Sequence, residues 1–353
     1  MRKLIERITE QNSWDFLEAA SLPIVIYGMG NGADMVIDVL EERGIPYCDI
    51  FASDGFVRGQ FFHEKKVLTY AEISAKYDDF IIVMSFAVHD EKTLCAIKKM
   101  ACEHTLLAPT VPIAGKGLFT REYIEEHDKE FEKAFSLLAD EKSRQVFVDV
   151  LNFKVSGKVS YLFNCQSEKD EVYDSILRLN EHESILDLGA YDGDTIREFL
   201  QFTNGEYDRI FCFEPDSKNF RKLTAKTEGM KNLSAFQLGA WDRKETLLFE
   251  KKSGRNSHKS SIGIPIEFDS PDNVIKERVS FIKMDIEGAE AKAIDGSRRL
   301  IEAYRPKLYI CAYHRNEDFF DIPLRVSEIC PDYKIYFRHH PYIPAWESNF
   351  YFV

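Results

Sequence analysis

An apolar segment that runs into a glycine-bearing, acidic turn limits the fold of this chain more than any other feature. Residues 185–195 read Ile-Leu-Asp-Leu-Gly-Ala-Tyr-Asp-Gly-Asp-Thr, and apolar residues at helical spacing begin near Thr195. The pattern predicts a buried strand, a tight turn and a helix, which is the unit at which open α/β sheets bind nucleotide-like cofactors. The chain is therefore expected to contain a mostly parallel sheet with a ligand at its carboxyl edge.

The charge of this turn favours one class of cofactor. Asp187, Asp192 and Asp194 surround the turn. A dinucleotide pyrophosphate would be repelled, because it binds to backbone N–H groups where no other anion is close, whereas a cofactor with an ammonium and a sulfonium group would be attracted. The acids therefore predict S-adenosylmethionine, although Asp192 and Asp194 are equally good candidates for turn or helix-cap residues.

Length, charge and cysteine usage narrow the class of protein. The 353 residues favour two domains, with three as the alternative. The formal net charge of −13 argues against nucleic acid and anionic membranes as partners, since both attract basic surfaces. The charged first ten residues lack the apolar core of a signal peptide, and the seven cysteines include no C-x-x-C pair. We therefore expect a soluble, cytoplasmic protein with free thiols and no membrane partner.

Composition and periodicity divide the chain into three parts. Residues 1–117 predict a small α/β domain with strands at 23–27, 47–52 and 80–84, too few for a complete dinucleotide fold. Residues 118–182 carry amphipathic patterns at 122–138 and 140–153, which predict a helical connector packed on the second domain.

Residues 183–353 predict a second α/β domain. Its last two strands have no helix between them and are expected to form an antiparallel hairpin at the edge of a mostly parallel sheet. Strands are expected at 184–188, 209–213, 233–238, 246–250, 279–285, 307–312, 333–338 and 349–353, and helices at 194–202, 217–228, 289–302 and 319–329.

Two residues that follow the second and third strands of this domain complete a cofactor pocket. Glu214 comes 25 residues after Gly189, where an acid can accept hydrogen bonds from both ribose hydroxyls. Trp241, preceded by Ala240, lies where an adenine ring would bind and could form a wall of that pocket. The alternatives are a solvated acid at a strand end for Glu214 and core packing for Trp241.

A second acidic cluster follows the strand at 279–285. Asp285 and Glu287 reach the carboxyl edge beside the first strand of the domain. Two carboxylates there can serve as a general base, as ligands of a divalent metal or as acceptors for a substrate hydroxyl. Glu290 fits the alternative of an acid that stabilises a helix N-terminus. A metal on Asp285 and Glu287 stays open, because two ligands are too few for a hard cation.

Three histidines follow neighbouring strands. His314 comes after the strand at 307–312, and His339 and His340 follow the strand at 333–338. A histidine whose pKa lies near 7 can deprotonate an alcohol during methyl transfer. We take His314 as the candidate base, with Asp285 orienting it or the acceptor, and His339 and His340 as candidate substrate contacts. A structural role is the alternative for each histidine.

Four motifs, at residues 186–195, 213–216, 239–242 and 283–290, occur in order and at suitable spacing. Together they resemble the FkbM family of S-adenosylmethionine-dependent methyltransferases. The resemblance implies a Rossmann-like methyltransferase fold of strand order 3-2-1-4-5-7-6 and O-methylation of a hydroxyl on a sugar, glycan or polyketide-like acceptor. It also implies a reaction centre bordered by Asp285 and Glu287. The predicted cofactor contacts are Asp187, Gly189, Ala190, Tyr191, Asp192, Asp194, Thr195, Glu214, Ala240, Trp241 and Asp285.

A segment rich in serine, glycine and lysine precedes the strand at 279–285. Ser260 and Ser261 lie in it, and the segment could cover both cofactor and acceptor. These two serines are therefore candidate substrate contacts. An ordinary surface loop is the alternative.

The N-terminal domain has a glycine turn of its own. Gly28-x-Gly30-x-x-Ala33 follows a strand and matches the dinucleotide fingerprint, with no acid in the turn before Asp34. The alternative function is therefore a nicotinamide-dependent oxidoreductase or a nucleotide-sugar-binding protein that uses this turn. The unit also resembles small Rossmann-like domains attached to bacterial sugar-modifying enzymes, which implies a nucleotide-sugar site or a role in assembly, such as a homodimer.

Overall fold

The N-terminal part of the chain forms a six-stranded sheet. The computed structural model describes residues 3–250, 258–259 and 264–353. The strands of this sheet are β1 (Ile24–Tyr27), β2 (Asp49–Phe51), β3 (Phe61–Phe62), β4 (Lys65–Leu68), β5 (Ile81–Met84) and β6 (Thr105–Leu107). The helices are α1 (Ser13–Glu18), α2 (Asn31–Glu42), α3 (Tyr70–Lys76) and α4 (Glu91–Glu103). The strand order is β3-β4-β2-β1-β5-β6, and only the β3–β4 pair is antiparallel.

This sheet corrects the expectation of a domain with too few strands. The sequence predicted β1, β2 and β5, which are buried and apolar. Strands β3, β4 and β6 were missed. Strand β3 has two residues, β4 begins with two lysines and buries only Val67, and β6 follows α4 with one residue between them. Their pairing with longer neighbours is a tertiary effect that a short window of sequence does not show.

The connector is helical and packed, as its amphipathic pattern predicted. It contains α5 (Arg121–Glu126), α6 (Asp128–Ser136), α7 (Glu141–Ser156), α8 (Ser160–Cys165), α9 (Lys169–Glu171) and a π-helical turn (Val172–Leu177). Along α7, Phe147 packs against Phe337 and Phe350 with ring centroids 5.3 and 6.4 Å apart. Ser143 Oγ accepts a hydrogen bond from Phe337 N at 3.0 Å. The connector therefore forms part of the core of the C-terminal domain.

The C-terminal domain contains a seven-stranded, mostly parallel sheet. The strands of the domain are β7 (Ser184–Leu188), β8 (Arg209–Phe213), β9 (Leu233–Phe236), β10 (Gly239–Ala240), β11 (Glu245–Glu250), β12 (His258–Lys259), β13 (Ile264–Asp269), β14 (Phe281–Met284), β15 (Lys307–Cys311), β16 (Ile335–His339) and β17 (Ser348–Phe352). The main sheet has the order β16-β17-β15-β14-β7-β8-β9, and only β17 runs antiparallel to its neighbours. Numbered along the chain, this is the order 3-2-1-4-5-7-6, so the predicted fold class is confirmed.

The helices of this domain are α10 (Asp194–Phe202), α11 (Ser217–Lys226), α12 (Pro271–Val274), α13 (Glu290–Gly296), α14 (Arg298–Tyr304) and α15 (Asp318–Ile329). The single helix predicted at 289–302 is two helices. The Asp272 carboxylate accepts hydrogen bonds from the N–H groups of Arg299 and Leu300 at 2.7 and 3.0 Å and so caps the N-terminus of the second helix. The strand predicted at 246–250 belongs to a separate four-stranded sheet of order β10-β13-β11-β12.

The two domains meet along the carboxyl edges of their sheets. Val88, which follows β5, and Ile343, which follows β16, exchange backbone hydrogen bonds of 2.8 and 2.9 Å. One hydrophobic cluster runs from the N-terminal sheet through α7 to the main C-terminal sheet. Within the described ranges, no helix has both the length and the apolar character needed to cross a bilayer.

Candidate active site

The turn after β7 is built against both neighbouring strands. The N–H groups of Gly189 and Ala190 each donate to Phe213 O, at the end of β8, at 3.0 Å. On the other side, Asp285 N donates to Leu188 O at 3.0 Å. Gly189 has φ +88°, and a Cβ placed there would lie 1.9 Å from the carbonyl oxygen of Asp285. The position therefore admits only glycine, since both its conformation and its surroundings exclude a side chain.

Asp187 offers two carboxylate oxygens with no partner. The residue is 0 % exposed, and neither oxygen accepts a hydrogen bond from any described residue. Burial raises the pKa of Asp187 to about 7, against the opposing field of Lys283. Lys283 itself donates to Thr195 Oγ1 at 3.1 Å and lies 3.7 Å from Asp285 Oδ2. A buried acid without a hydrogen-bond partner fits a cationic ligand group such as an ammonium.

Glu214, at the end of β8, is held in place by two backbone donors. Its Oε2 accepts from Tyr191 N at 2.9 Å and its Oε1 from Asp216 N at 2.8 Å. Burial raises the pKa of Glu214 to about 7, and these two N–H groups oppose the shift. Each oxygen keeps a second lone pair, so the carboxylate can still accept both hydroxyls of a ribose. Tyr191 has φ +47° and a side chain that is 49 % exposed beside it.

The other acids of the turn are already engaged. Asp192 Oδ2 forms an ion pair with Lys226 Nζ at 2.6 Å. Asp194 is exposed at the start of α10, and its Oδ1 accepts from Thr195 N at 2.9 Å. Of the three acids that suggested a cationic cofactor, only Asp187 thus has buried oxygens with no hydrogen-bond partner among the described residues.

The adenine side of the predicted pocket lies beside the small sheet. Trp241 is half-buried and packs edge-on against Phe268, with ring centroids 5.5 Å apart. Its Nε1 is buried without a hydrogen-bond partner among the described residues, and Ala240 is buried before it. The structure thus supports both sequence interpretations of Trp241, core packing and a pocket wall, and the adenine contact stays a prediction.

The reaction-centre residues predicted from the sequence come together at the carboxyl ends of β14 and β15. His314 Nε2 lies 3.5 Å from Asp285 Oδ1 and 3.6 Å from Glu287 Oε2, and Nδ1 lies 2.9 Å from Glu290 Oε1. Tyr313 donates its hydroxyl to Asp285 Oδ1 at 3.1 Å. Glu287 has φ +55°, a conformation that costs free energy and turns its carboxylate towards this cluster.

The pKa of His314 departs from the value near 7 that suits a general base. Burial lowers the pKa, but the carboxylates of Glu290, Asp285 and Glu287 together raise the pKa of His314 to about 10. Such a histidine keeps its proton at neutral pH, so it is a poor general base there. Lys283 and His314 hold the pKa of Asp285 below its usual range despite its desolvation. The sequence placed these residues together, but it did not show how many acids would surround the imidazole.

His339 and His340 are buried in a different environment. His339 Nδ1 lies 3.1 Å from Ser348 Oγ, and His340 contacts Ser167 O and the Tyr351 hydroxyl, both at 2.7 Å. Burial lowers the pKa of His339 to about 3 and that of His340 to about 4, so both rings are neutral. These contacts correspond to the structural alternative, and within the described part of the chain no hydrogen bond or ion pair joins either ring to Asp285. A substrate contact by these histidines stays a prediction.

Sequence reasoning missed a group of polar residues beside Asp285. Glu198, on α10, pairs with Lys169 Nζ at 2.9 Å and accepts from the Tyr173 hydroxyl at 2.8 Å. Glu347 directly precedes β17. Burial raises the pKa of its carboxyl, Lys169 opposes this shift and Asp285 adds to it. Lys169 comes from the connector and Glu347 from the edge hairpin, so no local pattern links either to the motifs.

Two further sequence predictions have separate outcomes. Ser260 and Ser261 lie outside the described residues. In the N-terminal turn, a Cβ on Gly28 would lie 2.7 Å from Ser85 Oγ, whereas none of the atoms described lies within 4 Å of a Cβ on Gly30. Close packing within the domain therefore accounts for Gly28 without a ligand.

Comparisons with known proteins agree with this geometry. Residues 187–344 match the family model described as the methyltransferase FkbM domain, so the predicted family resemblance is confirmed there. The fold of the whole chain is similar to the crystal structure of methyltransferase FkbM from Methylobacillus flagellatus KT, with TM-score 0.70, 22% identity, and coverage of 99% of this chain and 93% of that chain. No curated protein matches the sequence significantly.

Smaller likenesses cover about half of the chain. An rRNA methylase from Streptococcus thermophilus aligns with TM-score 0.33 and 11% identity, over 49% of this chain and 87% of that chain. Aeropyrum pernix fibrillarin, in complex with S-adenosyl-L-methionine, aligns with TM-score 0.33 and 13% identity, over 49% of this chain and 67% of that chain.

Proposed function

We propose that this protein is an S-adenosylmethionine-dependent O-methyltransferase, because residues 187–344 match the family model of the methyltransferase FkbM domain. Its acceptor would be a hydroxyl group of a sugar, glycan or related small molecule. The observation that carries the proposal is the pair of acids at the carboxyl edge. Neither oxygen of Asp187 has a hydrogen-bond partner among the described residues, and Glu214 is held by two N–H groups. A cofactor that carries both an ammonium and a ribose satisfies both acids.

Each residue around the proposed cofactor site has a defined role in this proposal. Asp187 holds the ammonium group, and Glu214 accepts the two ribose hydroxyls while the backbone of Tyr191 fixes its orientation. Gly189 keeps the turn close to β14, so that the cofactor-binding turn and Asp285 stay in a fixed relation. When bound, the cofactor supplies a methyl group on a sulfonium, which an acceptor oxygen attacks in line.

The acceptor side is polar and carries several carboxylates. Asp285 and Glu347 can accept the acceptor hydroxyl and hold its oxygen for attack. As the oxygen–carbon bond forms and the carbon–sulfur bond breaks, the hydroxyl proton passes to one of these carboxylates. This orientation and proton transfer are the main contributions of the chain itself, since the reactive methyl group belongs to the cofactor.

Aromatic side chains near Glu347 support a sugar as the acceptor. Trp346 stacks on Tyr342 with ring centroids 6.2 Å apart, and Tyr342 stacks on His89 of the N-terminal domain at 5.5 Å. Trp346 and Tyr342 are only half-buried. Flat aromatic faces beside carboxylates provide both the apolar contacts and the hydrogen bonds that a hydroxylated ring requires.

Calorimetric titration of the full chain with S-adenosylhomocysteine and, separately, with NAD tests the proposal. We expect binding of S-adenosylhomocysteine with one site per chain and weaker or no binding of NAD. A screen with labelled S-adenosylmethionine against nucleotide-sugars, glycans and small alcohols would then identify the acceptor. Binding of NAD alone would refute the methyltransferase proposal.

Replacing Glu214 by glutamine is expected to weaken S-adenosylhomocysteine binding about tenfold to a hundredfold. Two charge-assisted hydrogen bonds become neutral, and each loses about half of a net contribution of about 1.5–3 kcal/mol. Calorimetry measures the change. Glu206→Gln removes an exposed carboxylate from the same domain and serves as the matched control. An unchanged affinity in Glu214→Gln would remove Glu214 from the cofactor site.

Cofactor affinity is expected to fall as the pH decreases below 7. Burial raises the pKa of Asp187 to about 7, with Lys283 opposing and Asp194, Asp285 and Glu198 adding to the shift. An ammonium group binds to the ionised carboxylate, so cofactor affinity is greatest above this pKa and decreases below it. The expected decrease from pH 7.5 to pH 6 is about tenfold for each carboxyl with a pKa of this value. Calorimetry at both pH values measures this difference.

The control for this pH dependence is Asp187→Asn, which cannot ionise. Glu214 has a similar pKa and keeps its own contribution, so the pH profile of the variant should be shallower rather than flat. Equal slopes in the variant and the unaltered protein would contradict the assignment to Asp187.

A further inference from the structure

The imidazole of His314 lies between carboxylates on both of its sides. Nε2 faces Asp285 at 3.5 Å and Glu287 at 3.6 Å, and Nδ1 faces Glu290 at 2.9 Å. The first two distances are too long for N–H···O hydrogen bonds. They are close to the separation of about 3.0–3.4 Å between neighbouring ligand atoms that bind one cation at about 2.1 Å. The cluster thus has the dimensions of a metal site.

One buried oxygen of the cluster has no hydrogen-bond partner among the described residues. His314 is 2 % exposed and Glu290 is 0 % exposed. Glu290 Oε1 accepts from Ile286 N at 3.0 Å and lies 2.9 Å from His314 Nδ1, but Glu290 Oε2 makes no hydrogen bond with any described residue. Buried polar atoms without partners are costly, and an ion is one of the features that can satisfy them. This observation is independent of the spacing of the ligands.

From these two observations we propose that Asp285, Glu290 and His314 bind a divalent cation, with Glu287 as a fourth carboxylate on the solvent side. One ligand atom from each of the three lies within 4.8 Å of the other two. Opposite ligands in a metal shell are about 4.2–4.4 Å apart, so small side-chain movements close the site.

The charge balance and ligand types indicate the class of cation. Three carboxylates, those of Asp285, Glu287 and Glu290, lie within 3.6 Å of the imidazole, and Lys283 lies 3.7 Å from Asp285. A doubly charged ion reduces this excess of negative charge. A site with one imidazole and several carboxylates suits Mn²⁺, Fe²⁺ or Zn²⁺ better than Mg²⁺ or Ca²⁺, which prefer oxygen ligands alone. Glu287, 59 % exposed, provides the route to solvent.

The role of the cation rests on the proposed function, whereas its binding does not. In an O-methyltransferase, a cation at this position would bind the acceptor oxygen and lower the pKa of the acceptor hydroxyl. His314 and Asp285 would then act as ligands instead of bases, and Glu347 would be the carboxylate that takes the hydroxyl proton.

Calorimetric titration of the EDTA-treated full chain with MnCl2 and, separately, with ZnCl2 tests the site. We expect one cation per chain, and binding at least about tenfold weaker in Asp285→Asn and in Glu290→Gln. Glu287→Gln, which changes an exposed side chain and should fold normally, is expected to weaken binding several-fold. The matched control is Glu328→Gln, an exposed acid on α15, which should bind as the unaltered protein does.

Two results would overturn the site: no binding of either metal below millimolar concentration, or equal affinity in Glu287→Gln, Glu290→Gln and Glu328→Gln. Thermal unfolding of each variant shows whether a loss of binding comes from misfolding. Titration of the same samples with S-adenosylhomocysteine keeps the two proposals distinguishable. Its failure would refute the proposed function and leave the cation site intact.

Discussion

Replacing Asp285 by asparagine is expected to lower kcat for methyl transfer about a hundredfold to ten-thousandfold, the range typical of a lost general base or orienting acid. The asparagine keeps an oxygen that can accept from the Tyr313 hydroxyl, but it cannot take a proton from the acceptor. Lys283 loses its ion pair and keeps its hydrogen bond to Thr195. Steady-state kinetics with the acceptor from the screen, together with calorimetry of S-adenosylhomocysteine, measure the effect.

The expected pattern is a large loss of kcat with cofactor affinity changed by less than about tenfold. Asp332→Asn is the matched control, because Asp332 lies on the surface of the same domain in an exposed pair with Arg305. A kcat within tenfold of the unaltered value in Asp285→Asn would show that Asp285 does not take part in the chemical step. A loss shared equally by the control would point to a nonspecific effect of charge.

Replacing Gly189 by alanine is expected to destabilise the C-terminal domain by about 3 kcal/mol or more and to abolish cofactor binding. The added Cβ would lie 1.9 Å from Asp285 O and 2.9 Å from Asp285 C, and both are backbone atoms that cannot rotate away. Asp285 is also tied to Leu188 by a backbone hydrogen bond. Removing this steric clash therefore requires β7 to separate from β14. Urea unfolding followed by circular dichroism measures the loss of stability.

Gly205→Ala isolates the steric part of this effect. Gly205 has φ +80°, close to the +88° of Gly189, but no described atom lies within 4 Å of a Cβ placed there. This variant should lose only about 1–2 kcal/mol, the cost of the left-handed conformation. If both variants unfolded at the same urea concentration, the contact with Asp285 would not limit this turn.

The local elements around the site could be predicted because their signals are local. The helix at Asp194–Phe202 was predicted with its observed bounds, and the strands at Ser184–Leu188 and Arg209–Phe213 likewise. In the helix, apolar residues repeat at helical spacing, and the two strands are short apolar runs buried on both faces and followed by a clear turn. Prediction failed for β4, which begins with two lysines and buries only Val67, and for β6, which follows α4 with one residue between them.

The sequence identified the acidic residues of the site but not their burial or their ion pairs. The sequence treated Asp187, Asp192 and Asp194 alike, whereas the fold pairs Asp192 with Lys226, exposes Asp194 and buries Asp187 without a hydrogen-bond partner among the described residues. Lys226 comes from the next helix, so its approach depends on how α11 packs against the turn. The raised pKa of Asp187 follows from its burial.

By itself, the sequence determined the fold class, the strand order through family resemblance, and the turn at which the chemistry is expected, because motif spacing and apolar periodicity are properties of the chain. Only the tertiary structure decided the state of His314, which Asp285, Glu287 and Glu290 surround. It also brings Lys169 and Asp285 close enough to Glu347 to change the pKa of that carboxyl. Burial and the distances between charges set the protonation and ligand-binding capacity of these groups. Both quantities exist only once distant segments have packed together.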